Sequence, residues 1–353
     1  MFQMPSFSLR PLNKNIIDEI SAKLNAPVGC ICSNSSGVSL PRMKLLARDR
    51  YGINMNTYFC LNCGSATVSP YFDRHDLDLF YRSTYHDLYG RSSNSVYVKS
   101  RQRERAKLFS QIATLFLSSS GTNEDESLNI LEIGSSFGEC IKALSNMAAF
   151  TKSDLSIVEP SLERSNFVDS SKSRVQVFSS VEDVQDGMQD LIFCDHVLEH
   201  VLDAKAQLRT IKMKLKENSG IFVFAVPILE RFFEVKNKPL AINFHIAHLR
   251  YFSVLSLMGL AREAGFSIVE VTNSSLRDAG EGVFVMLDSS NSFFSKMLLG
   301  DSGLALARPI APPIFMRILM NASRYLLLFV AIRISIIKNL LSFQLGGKVR
   351  LGK

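Results

Sequence analysis

The stretch LNILEIGSSFGEC, residues 128–140, is an apolar run that breaks at Gly134 into a small, Ser-containing turn before helix-forming residues resume. A short apolar run bounded by turn residues reads as a strand buried on both faces, the kind found in parallel sheets. Gly134 and Gly138 permit a tight turn and let a ligand approach the backbone. Taken alone, this pattern equally fits a plain strand-to-helix turn, so the flanking sequence has to decide.

Downstream, the pattern alternates. ECIKALSNMAA (139–149) reads as a helix, DLSIVEP (154–160) as a strand, SLERSNFVDSS (161–171) as a helix and VQVFSS (175–180) as a strand. DLIFCD (190–195), GIFVFAVP (220–227) and FSIVEVT (266–272) are further strands, separated by helices over 204–217 and 254–265, and GVFVML (282–287) is the last. Strands alternating with helices predict an α/β, Rossmann-like, mostly parallel sheet covered on both faces, with the two closing strands antiparallel at its edge. Upstream, 101–117 has helical spacing and ends in a polar loop, whereas 1–100 is turn-rich and reads as a small separate module. The expected organisation is therefore 1–100, a catalytic unit over 101–290, and an extension over 291–353.

Glu159 lies at the end of the second strand, 25 residues after Gly134. An acidic residue at about this distance suits a ligand with free ribose hydroxyls, which its carboxylate accepts. The fourth strand runs into Asp195-His196-Val197-Leu198-Glu199-His200. With GIFVFAVP, NFHIAHLRYFS and LAREAGFSIVEV, this series resembles the class I methyltransferases in which a strand ends in a D-H-V-L-E-H type motif, and the likeness covers 128 to about 287. The resemblance implies S-adenosylmethionine as cofactor, held by Glu132, Gly134, Ser135, Ser136, Gly138, Glu159, Asp195 and His196. Position 136 is Ser where many relatives have Gly, a recurrent variant of the turn. A dehydrogenase is disfavoured, since it would carry G-x-G-x-x-G.

Four of the six cysteines form two close pairs, Cys30/Cys32 and Cys60/Cys63. In a reducing compartment such pairs favour metal ligation or burial over disulfides, and four thiolates can hold one tetrahedral zinc. The segment YFCLNCGSATVSPYFD and the following LFYRSTYHDLYG resemble the zinc-binding module that precedes the catalytic domain in sugar C-methyltransferases and related enzymes of polysaccharide gene clusters. Cys30-Ile-Cys32 departs from that module by having one intervening residue instead of two, so a set of free thiols stays open beside zinc. Tyr81, Tyr85 and Tyr89 recur every four residues, on one helical face. Packing is one reading, and in relatives a tyrosine from this segment reaches the acceptor.

The loop after the fifth strand supplies His245, His248 and Tyr251 as candidate catalytic residues, because a neutral imidazole there can take a proton as the methyl moves. Sugar C-methyltransferases have an H-x-H pair before Y-F-S, whereas Ala247 stands where His is expected here, which leaves both C- and O-methylation open. The implied acceptor is a sugar, a nucleotide sugar or another small polar metabolite. The alternative is a non-catalytic scaffold, or a membrane-associated partner subunit that retains the fold.

The net charge of +7 is concentrated in the tail. From Ser302 to Lys353 there is no Asp or Glu and there are eight Lys or Arg, so the remainder is nearly neutral. That argues against a nucleic-acid surface across the catalytic unit. MFQMPSFSLRPLNKN lacks the apolar core of a secretory signal, and a cytoplasmic location is expected. The basic, apolar stretch 313–343 suits either the surface of an anionic membrane or an oligomer interface, and its longest uninterrupted apolar run is too short to span a bilayer.

Overall fold

The computed structural model describes residues 14–32, 42–85, 88, 96–120, 127–135, 138–147, 150–160, 175–232, 240–271 and 280–288. In chain order, helix α1 (Lys14–Ala22) precedes strands β1 (Arg42–Arg48), β2 (Asn54–Cys60) and β3 (Ala66–Val68). Helix α2 (Arg74–Leu79) runs into a turn of π-helix, Phe80–Thr84, and the long α3 (Val96–Ser120) follows. The central unit comprises β4 (Asn129–Ile133), α4 (Glu139–Ser145), β5 (Asp154–Val158), β6 (Val175–Phe178), β7 (Leu191–Asp195), α5 (Ala204–Lys214) and β8 (Ile221–Pro227). After these come β9 (Arg250–Tyr251), α6 (Val254–Glu263), β10 (Ser267–Val271) and β11 (Glu281–Leu287).

Seven strands form one sheet in the order β6-β5-β4-β7-β8-β11-β10. All pairs from β6 to β8 are parallel, and β11 runs antiparallel to both β8 and β10. This is the mostly parallel sheet with an antiparallel last strand that the sequence pattern predicts. The reason is burial on both faces: all seven residues of β8 and all seven of β11 are buried, so neither strand has a wet side. On one face Phe109 of α3 stacks on Phe193 of β7, with centroids 4.9 Å apart and rings 12° from parallel. The opposite face packs against Leu208 and Ile211 of α5 and Leu257 and Leu260 of α6. The helix expected over 161–171 and the extension over 302–353 lie outside the described residues, as does Tyr89.

Strand order reverses direction between β4 and β7, and a crevice opens at the carboxyl ends of strands flanking such a point. Because β11 is antiparallel, its first residue, Glu281, pairs with Pro227 at the end of β8 and so also stands at the carboxyl edge.

Residues 42–68 contain a three-stranded antiparallel meander, β1-β2-β3, where the sequence reads as irregular. Only Leu45 of β1 is buried and its ladder slips register twice, so the period-two signal is weak. The fourth strand of this sheet is β9: Ala66 pairs with Tyr251 and Thr67 with Arg250.

Phe109 is fully buried, and truncating it leaves a cavity under the sheet. Phe109→Ala is expected to lower the unfolding free energy by about 3–5 kcal/mol, read from urea denaturation followed by circular dichroism.

Candidate active site

The turn after β4 is drawn against the end of β5, where the Gly134 amide donates to the Val158 carbonyl at 2.9 Å. Glu159 is the next residue and is 7% exposed. Gly134 adopts φ +72°, and a Cβ there would fall 2.3 Å from Val197 Cγ2, so the glycine is required both by conformation and by the D-H-V-L-E-H segment packed on it. Gly138, at φ +66°, starts α4, with its amide bonded to the Ser135 carbonyl at 2.9 Å. The structure brings Gly134, Ser135, Gly138 and Glu159 together, whereas Ser136 lies outside the described residues.

Glu132 faces the same turn from below. Its carboxylate is 3.0 Å from the Ile141 amide, and burial, helped by the charges of Asp195 and Glu159, raises its pKa to about 8. On the other side of the switch point, Asp195 ends β7, and Arg105 of α3, with its side chain 3% exposed, is 2.9 Å from the Asp195 carboxylate and 2.6 Å from that of Glu281. His196 follows at φ +56°, an uncommon conformation for a residue with a Cβ. Its Nδ1 is 2.8 Å from Glu199 and its Nε2 is 3.3 Å from Glu281.

A second group of side chains surrounds the D-H-V-L-E-H segment. His248 packs on His245 with ring centroids 3.8 Å apart, and on His200 at 4.8 Å. The Tyr81 hydroxyl is 2.7 Å from His200 Nδ1, so a tyrosine of the 81/85/89 series does reach this region. Burial, reinforced by the neighbouring histidines, pushes the His248 pKa well below the usual imidazole value and keeps the ring neutral. Tyr251 is fully buried. Its hydroxyl accepts the His245 amide at 2.8 Å and donates to the His245 carbonyl at 3.1 Å, so it braces the loop from beneath.

The loop is also gripped by the N-terminal residues. Asp49 takes the Tyr51 and Ile53 amides on one oxygen and the Ile246 amide on the other. The Arg50 amide donates to the Phe244 carbonyl, and the Tyr71 hydroxyl donates to that of Ile246. Arg250, itself buried, donates to the carbonyls of Val201 and Leu202, tying the loop to the end of the D-H-V-L-E-H segment. Asp49, Tyr71, Arg105, Arg250 and Glu281 carry no local sequence signal of these roles, since the contacts that tie them to this region span large sequence separations.

The four paired cysteines converge. Cys30 Sγ lies 3.4 Å from both Cys32 Sγ and Cys63 Sγ, Cys32 Sγ lies 3.6 Å from Cys60 Sγ, and all four sulfurs fall within 4.8 Å of one another. Zinc–sulfur bonds of about 2.3 Å put tetrahedral sulfur–sulfur edges near ~3.8 Å, so the donor set fits one such ion with small adjustments. Hydrogen bonds from Cys60 and Cys63 hold Cys30 far below the usual thiol range.

A family described as "Methyltransferase domain" matches the sequence over residues 99–271, the span that contains the turn, Glu159, the D-H-V-L-E-H segment and the histidine loop. Residues 99–271 form a methyltransferase domain. No curated protein matches the sequence significantly. Among solved structures, the chain is similar to a putative O-methyltransferase from Nostoc punctiforme, at 19% identity over 53% of this chain and 60% of that one, with a TM-score of 0.38. The magnesium protoporphyrin IX methyltransferase of Synechocystis with bound SAH is 13% identical over 62% of this chain and all of its own, with a TM-score of 0.43. The plantazolicin methyltransferase BpumL in complex with SAH is 10% identical over 61% of this chain and 98% of its own, with a TM-score of 0.41. The chain thus spans less than two thirds of the Nostoc protein. Among the described residues, no helix is long and apolar enough to cross a membrane.

Glu132 generates a pH prediction. Its pKa in the folded protein, about 8, lies above the ordinary 4.5, so the stability that comes from keeping it protonated is complete below about pH 4.5 and is lost as pH rises through 8. Denaturation midpoints should therefore fall across this window for the wild type, and Glu132→Gln should flatten that part of the profile.

Proposed function

We propose that the enzyme transfers the methyl of S-adenosylmethionine to a hydroxyl or an activated carbon of a sugar, nucleotide sugar or other small polar metabolite, in glycan or secondary-metabolite assembly. The observation that carries this reading is the hydrogen bond from the Gly134 amide to Val158, which sets a glycine turn directly beside the Glu159 carboxylate at the carboxyl edge of the sheet. In this reading the ribose hydroxyls donate to Glu159, while the turn residues Gly134, Ser135 and Gly138 leave room for the cofactor's methionine end, next to Glu132, Asp195 and His196.

The acceptor then lies over His245, His248 and Tyr81. Catalysis rests first on holding its nucleophilic atom in line with the sulfonium carbon, since alignment removes most of the entropic barrier to a displacement. The neutral His248 can accept a proton, and the bulk of its support comes from packing against His200, His245 and Tyr251. Tyr251 positions that loop.

Zinc suits the Cys30, Cys32, Cys60 and Cys63 sulfurs by geometry and donor type. When bound it would cross-link the segment around Cys30–Cys32 to the β2–β3 turn, and the Ser253 hydroxyl would fasten that turn to the start of α6 through the Cys63 carbonyl. Its role in this reading is structural. The purified protein is expected to carry one zinc per chain, released on titrating the thiols, with Cys60→Ser and Cys63→Ser each losing it.

The extension over 313–343 lies outside the described residues, and we assign it to contact with an anionic membrane surface or a second copy on sequence grounds alone.

Calorimetric titration of S-adenosylmethionine and S-adenosylhomocysteine tests the central claim. Micromolar binding by the wild type, weakened about tenfold or more in Glu159→Ala, is the expected result. Absence of binding by the wild type would favour a scaffold that keeps the fold without the chemistry.

A further inference from the structure

Arg250 is 6% exposed, and among the described residues no carboxylate forms an ion pair with it. Its Nη1 and Nη2 donate to the carbonyls of Val201 and Leu202, each at 2.7 Å, while its Nε makes no hydrogen bond among the described residues. Carbonyls satisfy donors without cancelling a charge, and a cation taken out of water is costly unless an anion answers it.

Burial draws the Arg250 pKa down to about 10, against the opposing pull of negative charge on Asp203, Cys30 and Tyr71. Asp203 is exposed at the start of α5, where its carboxylate already takes the Lys205 and Ala206 amides. Burial keeps the Tyr71 phenol protonated. The cysteine cluster is the remaining source of negative charge.

The strand register puts that cluster on the right side. Arg250 of β9 stands opposite Thr67 of β3, so the two side chains share one face of the sheet. Strand alternation carries the same face back to Ser65, whose hydroxyl oxygen is 3.0 Å from Cys63 Sγ and 3.5 Å from Cys30 Sγ. From the other direction, Ile31 packs against the apolar cluster that Val201 also joins. The guanidinium thus lies where the cysteine turn meets the end of the D-H-V-L-E-H segment.

Four thiolates around one zinc keep two negative charges after the ion's own are counted. With Cys30, Cys60 and Cys63 all buried, such a centre needs a cation as much as Arg250 needs an anion. Arg42, a second guanidinium tied to this segment, is exposed and donates to the Val28 carbonyl.

We propose that Arg250 is the counter-charge of a zinc–tetrathiolate centre at Cys30, Cys32, Cys60 and Cys63, and that it transmits metal occupancy to the end of the D-H-V-L-E-H segment. This inference rests on the zinc reading and deepens it. Arg250 is a positioning residue here, not a ligand. Its side chain grips Val201 and Leu202, its amide donates to the Glu199 carbonyl at 3.2 Å, and its neighbour Tyr251 braces the histidine loop. One charge thereby clamps three segments that are far apart in sequence.

Zinc affinity of the full-length chain, measured by competition with a chromophoric chelator, tests the pairing. Arg250→Lys keeps the charge and gives up the two-pronged grip on the carbonyls, whereas Arg250→Gln and Arg250→Met remove the charge. The lysine variant is expected to bind zinc within about threefold of the wild type, and the two neutral variants about tenfold or more weakly. Circular dichroism and S-adenosylhomocysteine binding check that each variant is folded. Neutral variants that hold zinc as tightly as the wild type, or a lysine variant that loses as much as they do, overturn the pairing and leave the zinc reading standing. A wild type that binds no zinc removes both. Stripping zinc from the wild type should also speed amide hydrogen exchange over 199–203 and 250–251, and unchanged exchange there overturns the transmission.

Discussion

Arg105 is the buried charge around which the carboxyl edge of the sheet is organised. A guanidinium 3% exposed sits between Asp195, which ends β7, and Glu281, which begins β11. Those two carboxylates would repel across the edge without it, and His196, wedged between Glu281 and Glu199, links this edge to the D-H-V-L-E-H segment. A buried pair of this kind adds little net stability over an apolar replacement, but removing one partner strands the others and costs about 3–5 kcal/mol. Its use here is therefore one of geometry. It fixes α3, β7 and β11 relative to one another, and with them the left-handed His196.

The histidine loop depends on a different constraint. Between a short 3-10 helix, Leu240–Asn243, and β9, residues 244–249 belong to no helix or strand, so their backbone polar groups have to be satisfied from outside. Asp49, Arg50, Tyr71 and Tyr81 do this from the N-terminal part of the chain, and Arg250 does it from the D-H-V-L-E-H side. The histidines are thereby mounted on a loop as firmly anchored as a strand. Ala247, which removes a side chain from the middle of that loop, leaves its carbonyl to fix His200.

The glycine turn and the strand that ends at Glu159 were legible because their information is local. An apolar strand, a glycine turn and an acidic residue one strand later are all set by short spacings, and burial of both sheet faces removes the ambiguity of strand period. The meander over 42–68 was not legible, because β1 buries one residue in seven and so lacks alternation. Arg105 sits in RQRERAK, where Arg103, Glu104 and Lys107 look equivalent on paper. Only the geometry of a folded helix shows that one of these residues points at β7. Tyr81 was legible as part of a helical stripe, while its partner His200, 119 positions away, was not.

The pairing of β3 with β9 has a consequence for how the chain acquires its site. Glycine turn, Glu132 and Glu159 close through segments of at most a few tens of residues, such as the nine between Glu132 and Ile141. The histidine loop and the cysteine turn wait for contacts such as Asp49 to Ile246 and Ser253 to Cys63, 197 and 190 positions apart. Closing loops of that length costs entropy before any contact repays it, so such pairings form late. On a ribosome the order is stricter still, since the N-terminal meander emerges long before the strand that completes it. Until β9 arrives, the inner edge of β3 is an unpaired strand edge, and the nascent chain has to keep it from meeting another.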